Sequence, residues 1–188
     1  IISYEIPMGL CLLCVILAAG TLLPQAIVEQ QLVGQWNLVQ QPLVAILFYT
    51  CLLAEANRAP FDLAEAEQEL IGGWHTEYSS MRWALFFLGE YVHVFVGSAF
   101  FVTLFMGGWS LNPFTAWDLP AAGGILMVLL QFGVVLVKIF FLIFMTMMVR
   151  WTLPRFRFDQ IMRLAWEGMI PTSLLLVLIV SFWVYLDW

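Results

Sequence analysis

Six carboxylates crowd one short stretch of this chain. Between Glu55 and Arg82 the sequence reads EANRAPFDLAEAEQELIGGWHTEYSSMR, which sets Glu55, Asp62, Glu65, Glu67, Glu69 and Glu77 against Arg58 and Arg82. Clustered carboxylates raise one another's pKa, and burial raises them further, so such a group can exchange protons near neutral pH. In a helix starting after Pro60, Asp62, Glu65 and Glu69 share a face, with Glu65 and Glu69 at i and i+4. The competing explanation is that acidic residues in a first helical turn complement the macrodipole and are simply solvated. The residue types alone leave these two balanced. Glu55 and Arg58, at i and i+3, can face each other, and the guanidinium would favour the ionised carboxylate.

Three further ionisable residues, Glu90, His93 and Lys138, stand in apolar surroundings. Counted inward from Arg82 at ~1.5 Å per residue, Glu90 is ~12 Å deep and His93 ~16 Å; counted from Arg150, Lys138 is ~18 Å deep. All three are expected near the middle of a ~30 Å hydrocarbon core, where ionisable groups are costly and usually functional. Glu90 is the expected proton relay, with Lys138 its electrostatic partner. The bland alternative is a structural ion pair, and buried pairs often add little stability over apolar replacements. Glu90 and His93 also spell E-x-x-H, but a di-iron carboxylate site needs a second copy and two more glutamates, and the sequence has no second copy. Cys11-x-x-Cys14 lies in an apolar run without a second pair and is expected to pack, as is Cys51. His75-x-Glu77 lacks the P-C-x-x-C half of a zinc deaminase signature. No metal site is expected.

The elements that must position these residues follow from the spacing of charge. Of 188 residues, 63% are hydrophobic and 11% charged, far from the ~50% and ~25% of soluble domains. A net charge of −6 gives no basic surface for nucleic acid. There are 23 uncharged residues between Glu5 and Glu29, 25 between Glu29 and Glu55, and 24 between His93 and Asp118. Intervals of 19 follow, from Asp118 to Lys138 and from Glu167 to Asp187. A spanning helix needs ~20 mostly apolar residues. The expected fold is all-α, a polytopic bundle forming one membrane domain over residues 1–188. Its five spans cover about 3–25, 39–58, 82–109, 122–151 and 164–188, with an acidic loop at 59–81 between the second and third. Trp83, Trp109, Trp151 and Trp188 fall at span ends, where amphipathic rings favour the interface. Arg150, Arg155, Arg157 and Arg163 lie on the same side as Arg58 and Arg82, while the other connections have no Lys or Arg. The positive-inside rule makes that side, and Ile1, cytoplasmic and puts Trp188 on the opposite face.

The run AEANRAPFDLAEAEQELIGGWHTEYSSMRWALFFLGEY, with ISYEIP at 2–7 and PRFRFDQIMRLAWEGMIP at 154–171, resembles a family of membrane subunits of respiratory complex I, the NADH:quinone oxidoreductase. It is the H-type family, whose members join the membrane arm to the peripheral arm at the quinone site. The motifs occur in family order over essentially the whole chain. Family members typically carry three more N-terminal transmembrane helices and an amphipathic helix bordering the quinone entrance, so the chain is expected to begin at the fourth helix. The resemblance implies a bacterial inner-membrane subunit of a proton pump, binding quinone jointly with its neighbours. Partners would be other membrane-arm and peripheral-arm subunits, among them those carrying the quinone site and the terminal iron–sulfur cluster. It also implies a proton path through Glu5 of SYE, Glu55 and Arg58 of E-x-x-R, Asp62 of PFD, the triplet Glu65, Glu67 and Glu69, Glu77 of TEY, and Glu90, with Lys138 beside it. Phe61, Arg58 and Asp62 would line the quinone cavity. Ala64 stands where proline is common in the family, which removes no titratable group.

Two other classes compete with this assignment. The homologous subunit of an energy-converting hydrogenase or of a ferredoxin- or F420-linked complex shares much of the pattern, but GGWHTEYSS favours the quinone enzymes. A cation/proton antiporter using Glu90 and Lys138 would commonly show inverted repeats with broken helices, and none is visible. With no glycine-rich nucleotide loop and no cysteine cluster, the chain is expected to bind no flavin, metal or iron–sulfur cluster itself, with quinone as a shared substrate.

Overall fold

A computed structural model of the chain describes residues 2–56, 60–61, 80–111, 124–154 and 156–187. Every regular element among them is helical, as hydrocarbon demands of segments whose backbone groups must bond within themselves. The first helix, α1 (Ile2–Ala19), ends where Gly20 takes φ +66, a left-handed conformation glycine adopts without penalty. The predicted first span therefore stops short of Pro24. That proline instead opens α2 (Pro24–Val33), where its missing N–H is no loss.

The second predicted span, 39–58, is replaced by two pieces. A single turn, α3 (Asn37–Gln40), precedes α4 (Pro42–Glu55), and the chain bends at Gln41 because Pro42 starts the next helix. Fourteen residues rise only ~21 Å, less than the ~30 Å core. Four helical stretches are long and apolar enough to cross: α1, α5 (Met81–Phe105), α6 (Ile125–Thr152) and the run Phe158–Leu186. The last begins six residues earlier than predicted, as α7 (Phe158–Arg163), where the Arg157 N–H bonds Gln160 Oε1 at 3.1 Å. It continues through a π-helical segment (Leu164–Met169) into α8 (Ile170–Asp187).

Helix α1 packs between α4 and α8, α5 runs against α6, and α2 leans on α5. The shared core takes Cys11, Cys14 and Val15 from α1, Phe48 from α4, Phe101, Val102 and Phe105 from α5, and Ile139 and Leu142 from α6. Rings of Phe48 and Phe101 each meet Phe105, at 5.4 and 5.0 Å between centroids. The three cysteines are free and buried, with 1% exposure each, as small packing residues. Large apolar side chains such as Leu85 and Leu88 of α5 and Phe140 and Phe144 of α6 point outward, and Trp83 and Trp151 are exposed near the helix ends.

Candidate functional site

Helix α5 carries two polar regions, and the elements around it make them different. At its C-terminal end the last carbonyls have no intrahelical partner. Gln31 of α2 is buried and donates through Nε2 to the carbonyls of Thr103 (3.3 Å) and Leu104 (3.2 Å), while its Oε1 accepts the Asn37 N–H at 3.2 Å. Asn37 Nδ2 donates to the same Leu104 carbonyl at 2.8 Å.

Lys138 of α6 completes this end. Its buried ammonium donates to the carbonyls of Met106 (2.7 Å), Gly108 (2.9 Å) and Ser110. It also stands 4.2 Å from the centre of the Trp36 ring, a cation–π contact, and the Trp36 indole N–H donates to Ser110 Oγ at 2.9 Å. The loop turns inward because Gly107 and Gly108 have φ +64 and +53. A Cβ on Gly107 would come within 2.8 Å of Trp36 Nε1, and one on Gly108 within 3.2 Å of Val28. The positive charge thus sits at the negative end of a helix dipole inside a ring of carbonyls.

This geometry corrects the expected Glu90–Lys138 pair. Met106, the residue that caps α5, follows Glu90 by sixteen positions, about 24 Å at ~1.5 Å per residue. The depth count failed because Arg82 and Arg150 are not level. Arg150 shares a small pocket with Tyr91 and Val94, well inside α5, so α6 is offset along it. Glu90, half buried, lies close to the level of Arg150 rather than that of Lys138.

The second polar region joins α4 to the first half of α5. Glu55 is the last residue of α4 and half buried. A cavity of about 290 Å³ between α1, α4 and α5 is lined by Glu55 and His93 among apolar side chains including Met8, Leu12, Leu52 and Phe100. Close approach of α4 and α5 depends on Gly97, where a Cβ would meet Leu52 Cδ2 at 2.9 Å. Next to this cavity, Tyr49 Oη and Thr146 Oγ1 lie 3.0 Å apart, and Ser98 is buried. Glu5 is exposed on α1.

The other predicted residues divide simply. Phe61 is buried in a small cluster with Leu53, Ala54 and Ile161 and meets the Phe156 ring at 5.6 Å. Arg58, Asp62, Glu65, Glu67, Glu69 and Glu77 lie outside the described residues. No group of three or more His, Cys, Asp or Glu able to hold a metal occurs among the described residues. No sequence motif singles out Trp36, Gln31, Tyr49, Ser98 or Thr146. The one available signal was the Gly107–Gly108 pair, which marks a close backbone approach.

The sequence profile described as NADH dehydrogenase matches residues 1–181. The chain is 46% identical over 178 residues to the H-type subunit of the NADH-quinone oxidoreductase of Flavobacterium johnsoniae, covering 95% of this chain and 51% of that protein. It is 47% identical over 188 residues to "NADH-quinone oxidoreductase subunit 8" of Rhodothermus marinus, covering 96% and 55%. With the H-type subunit of Salinibacter ruber it shares 44% identity over 192 residues, covering 98% and 56%. The chain spans about half the length of the curated relatives it matches.

Proposed function

The chain belongs to the NADH dehydrogenase family, and from that premise we propose that it is a membrane subunit of a proton-translocating NADH:quinone oxidoreductase. In this role it helps form the quinone cavity and lines the carboxylate path that couples quinone reduction to proton movement. The observation that carries the proposal is the likeness to the H-type subunits over 95% of the chain, joined to a cavity whose lining is apolar apart from Glu55 and His93.

Glu5, Glu55, Arg58, Asp62, Glu65, Glu67, Glu69, Glu77 and Glu90 make up the proton path, with Arg58, Phe61 and Asp62 nearest the quinone. Lys138 enters as a fixed positive charge at the far end of α5, since three carbonyls hold its ammonium. The arginine-bearing side faces the bacterial cytoplasm, with Ile1 inside and Trp188 outside, and α3 with α4 supplies the fifth crossing. The partners are membrane-arm neighbours and the peripheral subunits of the quinone site and terminal iron–sulfur cluster. Electrons travel in those partners, and this chain holds and moves protons.

The test is the simultaneous change of Glu65, Glu67 and Glu69 to glutamine in the complete complex. The complex is expected to assemble and to lose quinone-linked activity, because glutamine hydrogen-bonds but does not exchange the proton. Wild-type turnover and pumping in the assembled triple variant would return these residues to solvated helix-start charges.

A further inference from the structure

His93 forms part of the wall of two cavities. One is the 290 Å³ cavity that also holds Glu55. The other, about 20 Å³, lies between α4, α5 and α6 and is lined by Tyr49, Ser98 and Thr146 among apolar neighbours. That is room for a single water, which needs ~10–15 Å³ on the same measure and two to four polar partners.

The partners are present and correctly biased. Thr146 Oγ1 donates to the Leu142 carbonyl at 3.0 Å, so the proton in the Tyr49–Thr146 contact comes from Tyr49. Ser98 Oγ donates to the Val94 carbonyl at 2.8 Å. Each hydroxyl has its proton committed and a lone pair left to accept. His93 Nε2 is buried and has no hydrogen-bond partner among the described residues. A water accepting from Nε2–H and donating to two of the hydroxyl oxygens satisfies every group. Beyond it, Thr146 also lines the pocket that contains Arg150 and Tyr91.

We propose that the small cavity binds one water, and that His93 passes protons through it from the Glu55 cavity to the Tyr49–Thr146 hydroxyls. This deepens the proton-path function above and rests on it. In one transfer the neutral ring takes a proton from the Glu55 side on one nitrogen and releases another from Nε2 to the water. The water gives one of its own to Tyr49 Oη, Tyr49 gives its proton to Thr146 Oγ1, and Thr146 releases one toward the Arg150 pocket. Each group between Glu55 and that pocket ends with as many protons as it began with, and only N–H and O–H bonds change. His93 ends with its ring proton on the other nitrogen, and a ring flip restores the starting tautomer for the next transfer.

The experiment measures protons pumped per electron by the complete complex in vesicles, with assembly checked on the same preparation. His93→Gln keeps a polar side chain that can hold the water but cannot carry a proton through its ring, and the ratio is expected to fall at least twofold. Tyr49→Phe keeps the packing, removes the hydroxyl, and is expected to lower the ratio in the same direction. A wild-type ratio in assembled His93→Gln complex overturns the link; if that variant does not assemble, a wild-type ratio in Tyr49→Phe overturns it. Glu55→Gln separates the two levels. If it fails to pump while His93→Gln pumps normally, only the His93 link falls; if Glu55→Gln also pumps normally, the proton-path function falls with it.

Discussion

The two polar regions of α5 solve the problem of a polar group in an apolar bundle in opposite ways. At the C-terminal end, Lys138, Gln31, Asn37 and Trp36 meet a set of carbonyls and one hydroxyl. Among the described residues, the Lys138 ammonium is held by three carbonyls, and those bonds would be lost if it gave up its charge and turned away. In the first half of α5, His93 and Glu55 face cavities, and the nearby hydroxyls keep lone pairs to spare. A buried charge therefore marks function only after its partners are counted. Saturated, it anchors; beside space and unused lone pairs, it can conduct.

Breaking the anchor should have the largest effect on stability. Lys138→Gln removes the cation–π contact and shortens the reach to the carbonyls of Met106, Gly108 and Ser110. Leaving buried acceptors unsatisfied costs about 1–3 kcal/mol each, so the expected loss is at least about 3 kcal/mol. Thermal inactivation of the purified complex, or the fraction assembled in membranes, would register it; an unchanged inactivation temperature would show that the ring of carbonyls contributes nothing.

A subtler change sharpens the same contrast. Gly107→Ala forces a side chain onto a residue at φ +64 and within 2.8 Å of the Trp36 ring nitrogen. Strain of about 1–3 kcal/mol is expected for a non-glycine residue in that region. The readout is the same inactivation temperature, lowered less than by Lys138→Gln, with the proton-to-electron ratio intact.

How much of this was legible beforehand depended on what each feature is made of. Membrane crossing could be read from uncharged gaps such as those from Glu5 to Glu29 and from His93 to Asp118, because hydrocarbon excludes charge, whereas the gap from Glu29 to Glu55 holds helices each too short to cross alone. Element ends were less legible. Gly20 stops α1 before Pro24 does, and Pro42 divides a run of apolar residues whose composition looks continuous. Lys138 stands out as the one lysine in an apolar run, but its partners leave no mark in the sequence, since they are main-chain carbonyls that every residue carries. Its level relative to Glu90 is not written in the sequence, because the offset between α5 and α6 is set by packing, seen where Tyr91 and Arg150 line one pocket. Glu55 was legible through its motif, whereas the hydroxyls of Tyr49 and Thr146 meet only when α4 and α6 converge.

The central proposal is that the proton path runs by Glu55, with Lys138 an anchor at the far end of α5. The most direct measurement is the number of protons pumped per electron in vesicles containing the complete complex, compared between Glu55→Gln and whatever Lys138→Gln complex assembles. The account predicts a collapsed ratio for Glu55→Gln and a wild-type ratio for the surviving Lys138→Gln complex. A normal ratio in Glu55→Gln together with a collapsed one in Lys138→Gln would contradict it.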